Sequence, residues 1–367
     1  MRHSIRAAIL FGLLAEAPLA AQCSAPYFIE QGFPTVGTEE TRWRVCWQNQ
    51  GKQGLVITAA FFRKSPTSPF VRVFWDARLG EIFVPYHSGY PRYLDLSTYS
   101  LGLVTLNNKH CPAALGQLLG APAVVCKEVR DRGLAWMDDG AARRGQELAL
   151  WGTIDAYNYN NVVMWVFRDD GAVEGRYGAT AQNLPGHVTE AHMHTPIWRL
   201  DIDLDGFAGD SVHVARHVET TAAAPASDSI TAVNTESGLD WKAEEFTTLH
   251  IHDSNLRNRL GEATMYHFMP LRWGTPRHQE AFAQHDFWVT RYNEAEMWAK
   301  DLPTYVANNQ PVSNSDIVVW YAGAVHHLPR REDGEIVSGS LVGSAQVMWT
   351  GWVMKPHNLF DKSPLFP

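Results

Sequence analysis

Beyond its first residues the chain has no run of eighteen uninterrupted apolar side chains, so no later segment is long enough to cross a bilayer as a helix. A basic stripe is missing too, and with a net charge of -8 this argues against a nucleic-acid partner. There is no internal repeat or low-complexity tract, which speaks against an array of small units. Helical periodicity is scarce, limited to short pieces such as Ala113 to Leu118 and Asn293 to Lys300. Cysteine is sparse, but its number, four, is even and suits an oxidising compartment. Cys111 and Cys126 close a short loop, and Cys23 and Cys46 are candidates for a second pair, against the alternative of buried free thiols.

What is present reads as packed strands. Hydrophobic residues make up 45% of the chain and charged residues 19%, and 14 Trp and 12 Tyr are many for a helical protein but natural on pleated surfaces. Runs rich in Val, Ile, Phe, Tyr and Trp recur between Gly, Pro, Asn and Asp at Leu55 to Phe62, Phe70 to Trp75, Glu81 to Pro85, Leu101 to Leu106 and Val162 to Phe167. They continue at Trp198 to Leu204, Ile230 to Val233, Phe246 to His252, Phe287 to Arg291, Ile317 to Ala322 and Val347 to Met354. Thr220 to Ser229, rich in Ala, Thr and Ser, reads as a surface loop. The expectation is an all-β fold, a large β-sandwich with long loops and few short helices. At the start, Arg2, His3 and Arg6 precede the apolar run Ala7 to Ala15 and small residues at Ala17, Ala20 and Ala21, the layout of a secretory signal peptide. The expected organisation is therefore a leader over residues 1–21 and a single domain over residues 22–367, secreted or periplasmic.

His192-Met-His194 and the acidic run Asp201-Ile-Asp203-Leu-Asp205-Gly206 carry the clearest chemistry. On a strand, residues two apart point to one side, so both imidazoles can reach one ion and both carboxylates another. The acidic run opens like an EF-hand loop but has Val212 where a bidentate Glu is required, so that reading fails. A calcium site built from Asp201, Asp203 and a distant acid remains open. His-x-His is weak evidence in a chain with 16 histidines, and it occurs again at His250-Ile-His252. His326-His327 can supply a third imidazole, and three imidazoles suit Cu(II) or Zn(II) alike.

Taken in order, these motifs resemble the copper amine oxidases that carry a topaquinone made from their own tyrosine, over most of the chain from Leu55 onward. His192-Met-His194 with Trp198-Arg-Leu-Asp-Ile-Asp-Leu-Asp-Gly206 resembles the paired copper histidines and the acidic strand after them. His327-Leu-Pro-Arg-Arg-Glu-Asp333, preceded by Asn314-Ser-Asp316-Ile-Val-Val-Trp320, is similar to the segment giving the third copper ligand, and Met354-Lys-Pro-His-Asn-Leu-Phe-Asp361 to the closing Lys-Pro stretch. The second pair, His250 and His252, falls before Asn258-Arg-Leu-Gly261 and Tyr266, similar to a structural strand and turn of the family, and is not assigned to the copper. The resemblance implies Asp201, Asp203, Asp316 and the Ile317 carbonyl as calcium ligands, and the disulfide Cys111–Cys126.

Thr153-Ile-Asp-Ala-Tyr157-Asn158-Tyr159-Asn160-Asn161 holds the candidate cofactor tyrosine. Aligned without gaps from Glu147 to Trp165, Asn158 precedes Tyr159, so Tyr159 resembles the family's precursor. Asp155 and Asn160 depart from the family pattern, and a shifted register would choose Tyr157 instead. Upstream, Val84-Pro-Tyr86 and Tyr93-Leu-Asp95 resemble the segment with a tyrosine bonded to the quinone (Tyr86), a gate-like aromatic (Tyr93) and the catalytic base (Asp95). Ordinary packing of the rings and a turn role for Asp95 are the bland alternatives.

The resemblance implies oxidation of a primary amine by dioxygen to an aldehyde, ammonia and hydrogen peroxide. It implies Cu(II) held by His192, His194 and His327, a two-electron quinone sink at Tyr159 and a small amide neighbour at Asn158 that leaves the ring room. Asp95 would take a proton from the carbon beside the amine nitrogen. A homodimer is also implied, although the chain looks compact for the family. Competing readings are a metal-binding β-sandwich whose departures at Asp155 and Asn160 prevent quinone formation, and a three-histidine zinc hydrolase. Whether the amine is a small monoamine, a diamine or a peptidyl lysine is not legible in the sequence.

Overall fold

A computed structural model describes residues 23, 27–35, 39–218, 227–245 and 247–364. The expected leader, residues 220–226 of the expected loop, and Phe246 lie outside the described residues. Among the described residues the strands form two antiparallel sheets, of ten and twelve strands. The first runs in the order Phe28–Pro34, Glu40–Gln50, Gly54–Arg63, Val71–Pro85, His192–Ile202, Ile317–Ala322, Phe287–Arg291, Ser237–Leu239. At the centre of the second, Thr248–Arg257, Ala263–Leu271, Ser340–His357, Val173–Gln182, Tyr159–Arg168 and Ala142–Ala156 are successive neighbours. This is the expected all-β sandwich.

Period-two patterning builds the core. Tyr159, Asn161, Val163, Trp165 and Phe167 alternate along one strand, and all are buried. Trp165 meets Trp198 of the first sheet with ring centres 5.2 Å apart, and Trp198 meets Trp352 at 6.0 Å, edge to face. Two polar tips in this layer are satisfied by backbone, Trp165 Nε1 donating to the Leu55 carbonyl at 3.0 Å and Trp43 Nε1 to that of Arg168 at 2.8 Å, whereas Trp198 Nε1 and Trp352 Nε1 are buried without a partner. Both disulfides, Cys23–Cys46 and Cys111–Cys126, are formed.

Two expected helices are corrected. Ala113 to Leu115 is a turn that leads into the strand Gly116–Leu119, and Asn293 to Trp298 is irregular, helical turns starting only at Ala299. Apolar spacing over six residues fits a buried turn as well as a helix, and Pro112 and Gly116 break the first segment. The runs Phe70 to Trp75 and Glu81 to Pro85 are ends of one long strand, Val71–Pro85.

Proline shapes the strand that matters most. His192–Ile202 is central and fully buried, yet Pro196 has no N–H to give to a ladder. The strand changes partner there: residues 197–202 pair with Ile317–Ala322, whereas His192, Met193 and His194 pair with His327, His326 and Val325. The Pro196 carbonyl accepts from Gly323 N at 2.8 Å, closing the step between the two registers. His327 is thereby set directly across from His192.

Candidate metal and tyrosine site

Three imidazoles converge between the sheets. His192, His194 and His327 are all buried, and one ring nitrogen from each lies within 4.8 Å of the other two. Their partners fix the tautomers of two rings. His192 Nδ1 faces the Glu190 carbonyl at 3.0 Å, so that nitrogen carries the proton and Nε2 is bare. Tyr177 gives its only hydroxyl proton to Asn161 Oδ1 at 2.6 Å and so accepts from His194 Nδ1 at 3.4 Å, which leaves His194 Nε2 bare, buried and without a partner. His192 Nε2 and His327 Nδ1 lie 3.2 Å apart. Two nitrogens bound to one tetrahedral ion at 2.0–2.1 Å sit about 3.3 Å apart, so the spacing fits a shared metal. Burial pushes the pKa of His192 and of His327 down to about 4 and that of His194 well below its ordinary value. The rings are neutral at physiological pH, the form that ligates.

A tyrosine oxygen completes the cluster. Tyr159 donates its hydroxyl proton to Asn183 Oδ1 at 2.7 Å, and the same oxygen lies 3.1 Å from His192 Nε2 and 3.0 Å from His327 Nδ1. Tyr157, the alternative in the shifted register, is 75% exposed at the tip of the hairpin between Ala156 and Tyr159. Its φ of +64° is a turn conformation that aims its ring away from the sheet interior. Asn158 takes the other tip position: its side chain donates to the Gln182 carbonyl at 2.9 Å, tying the hairpin to the next strand rather than touching the phenol. The amide that does touch it is Asn183, which sequence reasoning missed. Asn161, two residues after Tyr159 and so on its face, was legible by strand periodicity; Asn183 arrives from a loop and gave no signal.

The upstream segment lies against the same cluster. Tyr86 stacks on His192 at 4.3 Å with the rings 15° apart, and Tyr93 stands edge-on to Tyr86 at 6.5 Å. Asp95 opens the short helix Asp95–Thr98. The residue keeps some exposure, but its carboxyl is sunk among the tyrosines, and burial followed by the charge of Glu81 pushes its pKa up to about 7. Glu81 is itself buried and anchors that helix, its carboxylate accepting from Leu96 N at 2.8 Å and Ile82 N at 3.0 Å. The charge of Asp95 is felt at the hydroxyls of Tyr86, Tyr93 and Tyr177.

The acidic strand forms a separate cluster. Asp201 and Asp203 are buried, with Asp316 beside them, and Asp210, absent from the expected set, joins them. Burial, then Asp316, raises the pKa of Asp201 to about 8; burial, then Asp203, raises that of Asp210 to about 9. One oxygen each of Asp201, Asp203 and Asp210 is buried with no partner, as a hard cation would require. Arg72, ion-paired with Asp203, supplies part of the compensating charge. Ile317 is buried at the start of its strand, next to Asp316.

Comparisons with known proteins show what the chain is similar to. The family model described as "Copper amine oxidase, enzyme domain" matches residues 134–366. A copper-containing diamine oxidase of Nicotiana tabacum is 23% identical over 320 residues, covering 72% of this chain and 39% of that protein. A histamine oxidase of Arthrobacter globiformis is 25% identical over 365 residues, covering 78% of this chain and 51% of that protein. The crystal structure of a copper-containing benzylamine oxidase from Hansenula polymorpha superposes with a TM-score of 0.71 at 17% identity, covering 93% of this chain and 62% of that one. The chain thus spans between about two fifths and three fifths of the length of these proteins.

Proposed function

The chain belongs to the copper amine oxidase family, and from that membership and the geometry above we propose that it oxidises primary amines with dioxygen, releasing aldehyde, ammonia and hydrogen peroxide. The single observation that carries the reading is the Tyr159 oxygen within 3.1 Å of ring nitrogens of His192 and His327, two imidazoles of a buried triad. His192, His194 and His327 would hold Cu(II), and a topaquinone derived from Tyr159 would supply the two-electron acceptor that ordinary side chains lack. The residues around it have separable tasks. Tyr86 braces the His192 ring by stacking, and Asn183 orients the Tyr159 hydroxyl. Asp95 takes the proton from the carbon beside the substrate nitrogen, with a pKa of about 7 that suits a base at neutral pH. Tyr93, half-buried between Tyr86 and Tyr99, screens the approach from solvent. Asn158 holds the hairpin that presents Tyr159.

The acidic cluster would bind Ca(II) through Asp201, Asp203, Asp316 and the Ile317 carbonyl, with Asp210 joining them, supported by the unpartnered buried oxygens of Asp201, Asp203 and Asp210. Export of the chain is supported by its two disulfides. Assembly as a homodimer is consistent with the exposed Leu271, Trp273 and Trp349. No helix among the described residues is long and apolar enough to cross a membrane.

Aerobic copper loading of the metal-free protein tests the reading, followed by visible absorption and a redox-cycling quinone stain. Quinone should form in the parent and not in Tyr159→Phe, while Tyr159→Phe still binds copper through the three histidines. Copper bound without quinone in the parent protein refutes the oxidase. Quinone in Tyr159→Phe refutes the choice of tyrosine.

A further inference from the structure

The second His-x-His pair lies far from the triad in sequence, on the outer face of the other sheet, yet it repeats the triad's register. In the buried centre, His192 pairs directly across antiparallel strands with His327, and His194 follows two residues on. On the outer face, His250 pairs directly with His213 across antiparallel strands, and His252 follows two residues on. Val212 and Val214 on one strand, and Leu249 and Ile251 on the other, are buried, so the alternate histidines all face outward. His252 Nε2 and His213 Nδ1 are already 2.8 Å apart, close to the 3.2 Å between His192 Nε2 and His327 Nδ1. Two cross-strand imidazole nitrogens this close either share a proton or share an ion.

A third imidazole stands beside this pair, since His250 lies directly across from His213. Part burial and the neighbouring imidazoles hold His213 and His250 below the ordinary histidine range, and burial does the same for His252. His250 stacks on His267 at 4.1 Å with the rings 6° apart, and His267 Nε2 is buried without a hydrogen-bond partner, an imidazole whose polar atom is unused. Lys355 stands opposite His267 in strand register, one strand further from His213.

We propose that His213, His250 and His252 form a second metal site, for a borderline divalent ion of the Zn(II) or Cu(II) class. His213 and His252 supply the preformed pair; His250 is stacked on His267, and among the described residues only the triad has three ligand nitrogens within 4.8 Å of one another, so His250 completes the outer site by turning off His267. Three imidazoles with an open position suit either metal and reject calcium. The ion cross-links the strands Asp210–Val218 and Thr248–Arg257. The site uses neither the quinone nor the triad, so it stands or falls independently of the proposed function.

The test titrates Zn(II) into the otherwise metal-free full chain with calcium in excess to fill the acidic cluster, and counts zinc ions retained after desalting. Two per chain are expected for the parent protein, one for His213→Gln/His252→Gln, and one for His192→Ala/His194→Ala. The outer ion should bind tighter than about 1 μM. The paired Gln variant keeps the polar outer face, and its metal-free melting curve should overlay the parent's, so loss of the ion is not loss of the fold. Single His250→Gln should weaken the outer ion by at least tenfold without changing the triad's ion. A parent protein that retains one ion, a Gln pair that still retains two, or an outer ion seen only above about 100 μM, an adventitious ion only, each overturns the proposal.

Discussion

Glu81→Gln isolates the electrostatic control of the proposed base. Asp95 is pushed up to about 7 by burial first and by the Glu81 charge second. With a base of that pKa, kcat/KM for a primary amine rises with pH to a plateau, and at pH 6 it stands about tenfold below it, because about one molecule in eleven carries the ionised carboxylate. Glu81 Oε1 accepts the Leu96 and Ile82 amides at 2.8 and 3.0 Å, and a glutamine carbonyl can keep both. The substitution thus removes a charge while leaving the anchor of the Asp95–Thr98 helix. The acid limb should move to lower pH. A displacement of half a unit would raise the rate at pH 6 roughly threefold, with the plateau little changed. Asp95→Asn should lower kcat/KM by about 10²- to 10⁴-fold on the plateau and remove the acid limb, with quinone content intact. The assay is peroxide release from a simple amine between pH 5 and 9, normalised to titrated quinone. An acid limb that stays in place in Glu81→Gln, or an Asp95→Asn enzyme with parental kcat/KM, refutes the reasoning.

Two predictions concern stability. Asp201 and Asp210 have folded pKa values of about 8 and about 9, above those of exposed carboxylates. The metal-free fold therefore holds protons that the unfolded chain has released, and this contribution, complete below about pH 4, is lost as pH rises towards 8 and 9. Calcium should replace those protons: thermal melting with calcium or a chelator should show a rise in Tm at pH 8 and almost none at pH 5, and equal shifts would contradict the site. Replacing Cys111 and Cys126 by Ala opens a loop of sequence separation 15, expected to cost about 3 kcal/mol in denaturant unfolding while leaving the triad's copper stoichiometry unchanged.

The strand count was only partly legible. Phe287–Arg291 and Ile317–Ala322 matched their apolar runs to the residue because both are short, buried and bounded by turn residues. Strands such as Ala142–Ala156 and Ala263–Leu271 were missed, since their outward-facing Arg, Gln, Glu and His dilute the apolar signal that a half-exposed strand carries. The false helices at Ala113 and Asn293 show the opposite error, a periodicity too short to choose between structures.

Sequence alone determined the chemistry available: His-x-His on a strand, a third histidine far downstream, an acidic repeat, two candidate tyrosines flanking an asparagine and a carboxylate after two tyrosines, in one family's order. Spacing along a strand decides which side chains share a face, and that needs no tertiary information. Tertiary structure alone decided which groups meet. Pro196 breaks the ladder and sets His327 opposite His192, the hairpin tip turns Tyr157 out and Tyr159 in, and Asn183 and Glu81 reach the centre from segments with no local motif. It also revealed that the second His-x-His pair faces its own cross-strand histidine. Such meetings depend on register between strands distant in sequence, which is fixed by packing of the whole sandwich.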